Sequence, residues 1–102
     1  MNHKIINLLG LAQRAGKLTS GDFIVEKSIK KRDAKLVFLA IDTASNNEKK
    51  YKELTTACGV PVIQVLTKKQ LGQAIGKEMR VVVAVEDDGF ARAMQRELTI
   101  ED

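Results

Sequence analysis

Two stretches of this chain, Lys35 to Ile41 (KLVFLAI) and Arg80 to Val85 (RVVVAV), carry β-branched, aliphatic and aromatic residues on consecutive positions with no polar alternation. A strand with one wet face alternates, because successive side chains point to opposite sides of the sheet. Runs that are apolar on both parities must be covered on both faces, so the chain has to supply helices for two sides of a central sheet. Pro61 to Leu66 is a third strand, with proline tolerated at its first position.

The segments between these runs have helical spacing. Ile5, Leu8, Leu9, Ala12 and Ala15 predict a first helix from about His3 to Ala15, with Gly16 as its C′ residue. Lys17 to Ser20 reads as an extended link, and Thr19 with Asp22 fits the start signal of a second helix. That helix is expected to bury Phe23, Ile24 and Ile29 and to show Glu26, Lys27, Lys30, Lys31 and Arg32 to solvent. Ser45-Asn46-Asn47-Glu48 is a capping-box pattern opening a helix with Tyr51, Leu54 and Cys58 on one stripe and Gly59 as C-cap. Thr67-Lys68-Lys69-Gln70 is a second capping box, before a short helix that ends at Gly76. Asp87-Asp88-Gly89 begins a final helix through Phe90, Ala91, Met94 and Leu98, with Thr99 to Asp102 expected to fray. With right-handed crossovers, this order gives a mainly parallel sheet with helices on both faces.

At 102 residues the chain reads as one domain, 1–102, able to bury roughly 60–65% of its unfolded surface. The longest apolar run, Leu36 to Ile41, is far short of a bilayer span, and the N-terminal segment lacks a signal-peptide h-region, so no membrane role is expected. A lone Cys58, best read as core, excludes an intramolecular disulfide and fits a reducing, cytoplasmic compartment. The net charge of +4 is uneven: residues 1–85 hold 15 Lys and Arg against 7 Asp and Glu, and residues 86–102 hold 2 against 6. A basic body of this kind favours polyanions.

Gly16 to Gly21 resembles the start of a P-loop, but Asp22 and Phe23 stand where Lys and Ser/Thr would bind phosphate and magnesium. Two helix-end glycines are the simpler reading. Gly21 still permits a nucleic-acid backbone or base to sit on a helix N-terminus, where Lys27 can share the anion. Ile75 to Arg80 supplies two cations and an exposed Met79, a mixture suited to phosphates and splayed bases, and equally a plain turn. Asp42, Asp87 and Asp88 follow predicted strands, where a magnesium-dependent phosphate enzyme would place them, although capping explains them too. His3 has no second histidine to complete a metal set and reads as a surface residue.

The succession AKLVFLAID, CGVPVIQVLTKKQLGQAIGK and RVVVAVEDDGFA, after the opening LLGLAQRAGKL, resembles the kink-turn RNA-binding ribosomal protein family of the large subunit, the seven-Ae and thirty-e type. LGQAIGK after VPVIQV is its most specific part. The resemblance covers nearly the whole chain and implies a three-layer α/β/α sandwich with a four-stranded mixed sheet, the extra strand lying near Leu18 to Ser20. It implies that Gly21 opens the RNA-reading helix, that Lys27 is its basic residue, that Asp42-Thr43-Ala44 flank the kink, and that Ile75 to Arg80 covers extruded bases. Where the family has Gly-x-Asn-Glu, this chain has Gly21-Asp22-Phe23-Ile24, and Asp22 is expected to repel a phosphate.

The expected function is therefore non-enzymatic, cofactor-free recognition of kink-turn RNA by a monomer, with the ribosome or translation factors as further partners. The expected contacts are Lys17, Gly21, Asp22, Lys27, Asp42, Thr43, Ile75, Lys77, Met79 and Arg80. The alternatives are a protein-interaction module of the translation machinery and the magnesium enzyme.

Overall fold

Both apolar runs become central strands. The computed structural model describes the backbone of residues 3–101 and the side chains of residues 3–98. Its elements are α1 (His3–Arg14), β1 (Leu18–Ser20), α2 (Asp22–Lys30), β2 (Leu36–Leu39), α3 (Ser45–Cys58), β3 (Val62–Ile63), α4 (Lys68–Ala74), β4 (Val82–Val85) and α5 (Asp88–Glu101). They form a four-stranded sheet in the order β1-β4-β2-β3. All four residues of β2 and all four of β4 are buried.

The alternation of those buried side chains divides the core in two. Leu36 and Phe38 of β2, with Val83 and Val85 of β4, pack on Ile5, Leu9 and Ala12 of α1, Leu71 of α4, and Ala91 and Met94 of α5. Val37 and Leu39, with Val82 and Ala84, pack on Val25 and Ile29 of α2 and Tyr51 of α3. The result is the α/β/α sandwich that the resemblance implied.

The sheet is mixed, which corrects the parallel reading. Only β2 and β3 are parallel, and β4 runs antiparallel to both β1 and β2. A run apolar on both parities looks the same in either direction, so periodicity could not detect the reversal. β3 is also shorter than its apolar run, since only Val62 and Ile63 pair with β2 at the sheet edge.

The second helix is rotated relative to its reading. Val25, Ser28 and Ile29 face the core, whereas Phe23 and Ile24 are exposed. Thr19 lies within β1, and its hydroxyl donates to Glu86 Oε2 at 3.4 Å, so α2 begins at Gly21 without a side-chain cap. The cap of α3 is Ala44, one residue before the expected serine, because Glu48 accepts from Gln64 Nε2 at 2.8 Å and does not reach back to the helix start. The second capping box forms in full, with Thr67 and Gln70 exchanging bonds. Asp87 caps α5 by accepting from the Phe90 amide at 2.8 Å. The backbone stays helical through Glu101, against the expected fraying from Thr99, and Asp102 lies outside the described residues. No helix among the described residues is long and apolar enough to cross a membrane.

Candidate nucleic-acid interface

Because β4 is antiparallel to its neighbours, one end of the sheet gathers the C-terminal ends of β1 and β2 and the point where the chain enters β4. Ser20 pairs with Val83 and Leu39 with Val82. Three segments therefore meet there: Gly21 leading into α2, Asp42-Thr43-Ala44 leading into α3, and the loop 76–80 leading into β4. Gly21, Asp22, Asn47, Met79, Arg80, Val81 and Val82 line a cavity of about 210 Å³ between them.

Gly21 has φ 101° and ψ 150°, a conformation available essentially to glycine alone. It turns the chain out of β1, where its amide donates to Val82 O at 3.4 Å, and straight into the helix. No side chain caps α2, so its first-turn N–H groups and positive dipole end remain available to an anion. A Cβ at this position would meet no atom within 4 Å, so backbone conformation and not crowding requires glycine here.

The opposite holds at Gly72. A Cβ there would lie 2.6 Å from Glu78 O and 2.7 Å from Met79 Cα, so α4 needs glycine to let the loop lie against it. Lys77 N donates to Gly72 O at 2.8 Å, and Arg80 N donates to Lys68 O at 3.1 Å. The anchored loop holds Met79 outward at 58% exposure and Lys77 in solvent. Arg80 is half-buried, its Nε donating to Ser20 Oγ at 3.2 Å and its guanidinium also to Met79 O at 2.8 Å. These bonds fix the cation beside β1.

Not every expected contact comes to this end. Ile75, 4% exposed, belongs to the core beneath the loop, so it cannot cover a base; Met79 is the loop's apolar surface group. Lys17 lies at the far end of β1, where its carbonyl accepts from Glu86 N at 2.8 Å, roughly 13 Å from Gly21 at strand rise. Asp42 does come to this end, but its Oδ1 accepts from Lys68 N at 2.8 Å and caps α4. Thr43 is half-buried, with its hydroxyl oxygen buried and lacking a hydrogen-bond partner. The three aspartates of the magnesium alternative are separated by the antiparallel sheet, Asp42 at one end and Asp87 and Asp88 at the other. No three His, Cys, Asp or Glu among the described residues form a metal-binding group.

Asp22 is not the free charge that the sequence suggested. The Tyr51 hydroxyl donates to its carboxylate and Lys50 Nζ lies 3.4 Å away, so the side chain turns toward α3. Burial, followed by the bond to Asp22, pushes the Tyr51 hydroxyl well above the usual tyrosine range. Lys50 also sits 5.2 Å from the Tyr51 ring centroid and 3.0 Å from Glu26. The Glu26 carboxyl is held below its ordinary value by hydrogen bonds from Lys30 and then Lys50. Ser20, Lys50 and Gly72 were missed from sequence because each acts through partners distant in the chain, and Asn47 because only the fold brings it to the cavity.

The family model described as "Ribosomal protein L7Ae/L30e/S12e/Gadd45 family" matches residues 3–95. The chain belongs to this family.

The chain is 48% identical over 87 residues to the RNA-binding protein YlxQ of Bacillus subtilis (strain 168), covering 85% of this chain and 87% of that one. It is 39% identical over 89 residues to the RNA-binding protein YlxQ of Enterococcus faecium, covering 87% and 85%. A solved structure of a protein of unknown function from Bacillus halodurans C superposes with TM-score 0.90 at 36% identity, covering 94% and 97%. The Giardia lamblia 15.5kD RNA binding protein shares the fold, with TM-score 0.80 at 19% identity, covering 97% and 85%. The L7Ae-type resemblance read from the strings is thus confirmed, together with the mixed sheet that it implied.

Proposed function

We propose that this L7Ae-family protein binds structured RNA at the end of the sheet where α2 begins, and that the RNA it selects is a kinked duplex of the kink-turn type. The observation that supports this is the meeting of an uncapped helix N-terminus at Gly21 with the anchored loop that presents Lys77, Met79 and Arg80. The helix end and the cations suit phosphates, and Met79 beside them suits a base turned out of the stack. Lys27, on the exposed side of α2, extends the positive surface. Asn47, which lines the cavity at this end, adds a polar group at the kink, whereas Ile75 and Lys17 act through the fold. Within this reading, Asp22 positions α2 against α3 and does not contact RNA. Partners in translation or on the ribosome, and a cytoplasmic site of action, fit a structured-RNA ligand.

Affinity should come from charge and selection from shape. Phosphate contacts by Lys27, Lys77 and Arg80 give an expected log–log salt slope of about −2 to −3. The test is titration of a kink-turn RNA against a straight duplex of equal length at two salt concentrations. Preference for the kinked RNA at both supports the reading. Equal affinity would reduce it to unspecific polyanion binding.

A further inference from the structure

Phe23 is 88% exposed and Ile24 57%, although both lie on a helix whose other side is fully buried. Neither joins the two core clusters. An aromatic residue loses side-chain freedom in a helix, so the fold gains nothing from a phenylalanine at this position. With Glu26, Lys27, Lys30 and Lys31, the pair lines an open groove of about 590 Å³ along the outside of α2. The groove adjoins the proposed interface, since Gly21 and Asp22 line the cavity at the sheet end and Phe23 follows directly.

The charges of this groove are positive after internal pairing. Glu26 is bound by Lys30 and Lys50, each at 3.0 Å, and Asp22 is turned toward α3 by Tyr51 and Lys50. Lys27 and Lys31 have no ion-pair partner among the described residues. Lys27 lies one turn beyond Phe23 and Lys31 two turns beyond Ile24, roughly 6 Å and 10 Å along the helix axis. A flat aromatic face followed at intervals by free cations is what a single nucleic-acid strand requires: a surface for a base and counter-charges for its phosphates.

From this we infer a stacking subsite on α2, in which an unpaired nucleobase of the bound RNA lies on the Phe23 ring against Ile24 and the adjoining phosphates meet Lys27 and Lys31. The inference rests on the RNA-binding reading above and deepens it. It assigns selection of an unpaired base to stacking by this chain's own residues.

The full chain should be titrated with a kink-turn RNA and with versions in which each unpaired nucleotide in turn is abasic. Phe23→Ala should weaken binding to the parent RNA roughly 5- to 150-fold, the range expected for one stacked base. Phe23→Trp should restore it. At one abasic position, wild type and Phe23→Ala should bind alike, which locates the stacked base. Lys31→Ala should reduce the salt slope by about 1. Unchanged thermal unfolding of the variants would show that these effects come from the surface. If wild type binds the kink-turn RNA but Phe23→Ala matches it within twofold on every version, the subsite is overturned while RNA binding stands, and the groove is left to face a protein. If wild type shows no preference for that RNA, both readings fail.

Discussion

At the end of the sheet where the chain leaves β4, the carboxylates of Glu86 and Asp87 are bound internally. Glu86 accepts from Ser28 Oγ at 2.5 Å and from Thr19 Oγ1 at 3.4 Å, tying β4 to α2 and β1, and Asp87 caps α5. At the end where the chain enters β4, α2 starts with no side-chain cap, and the side chain of Lys77, like that of Lys27 further along α2, has no ion-pair or hydrogen-bond partner among the described residues. Both ends carry polar residues just outside strands, so their residue types alone do not separate a structural end from a binding one. What separates them is whether folding leaves the hydrogen-bonding and charge capacity free. On this account, damage to the closed end appears as lost stability and damage to the open end as lost binding.

The sharpest attempt to break that division is Gly72→Ala, because Gly72 supports the open end from inside the fold. Its new methyl group would press on the Glu78 and Met79 backbone, so a loss of about 1–3 kcal/mol in denaturant unfolding is expected, with weaker RNA binding as the loop moves. If stability is retained, the loop is not anchored as described. Glu86→Ala comes next: it leaves the buried Ser28 hydroxyl without its acceptor and should cost about 1–2 kcal/mol of stability with RNA affinity unchanged. Any selective loss of binding in this variant would move the interface to the wrong end.

Lys27→Ala should have the reverse effect, a several-fold loss of RNA affinity with stability changed by less than about 0.5 kcal/mol. Thermal unfolding and RNA titration on the same sample check both halves. The smallest expected effect concerns Tyr51, which links α2 to α3. Its hydroxyl ionises less readily in the folded chain than in the unfolded one, so its contribution is complete below the ordinary tyrosine value of about 10. That contribution is lost as pH rises through the higher folded value. Unfolding followed from pH 8 upward should therefore show declining stability above about pH 10, and Tyr51→Phe should flatten the decline.

Much of the framework was legible because its signals are local. The apolar runs at 36–39 and 82–85, the Thr67–Gln70 capping box, and the left-handed glycines Gly16 and Gly59 each act within a few residues of themselves. The direction of β4 was not legible, since an evenly apolar strand packs equally well either way; the family resemblance implied a mixed sheet without saying which strand is reversed. The face of α2 was misread because Phe23 and Ile24 are more apolar than Ser28, yet Ser28 is the residue that turns inward, to reach Glu86 across 58 positions of sequence. The candidate site was legible in part. Gly21, Met79 and Arg80 were expected there and line one cavity, with Lys77 on the same loop in solvent, but Ile75 is core and Lys17 lies at the other end. Lys17 and Gly21 are close in sequence, but the extended strand β1 between them holds them at opposite ends of the sheet.

The central claim is that RNA meets the open end and not the closed one. The measurement that tests it most directly is an amide NMR titration of the full chain with a kink-turn RNA. The account predicts shifts concentrated at Gly21 to Lys27, Thr43 to Asn47 and Lys77 to Val81, with Lys17, Lys35 and Glu86 to Asp88 unaffected. Shifts centred on Lys17, Lys35 and Glu86 would contradict it.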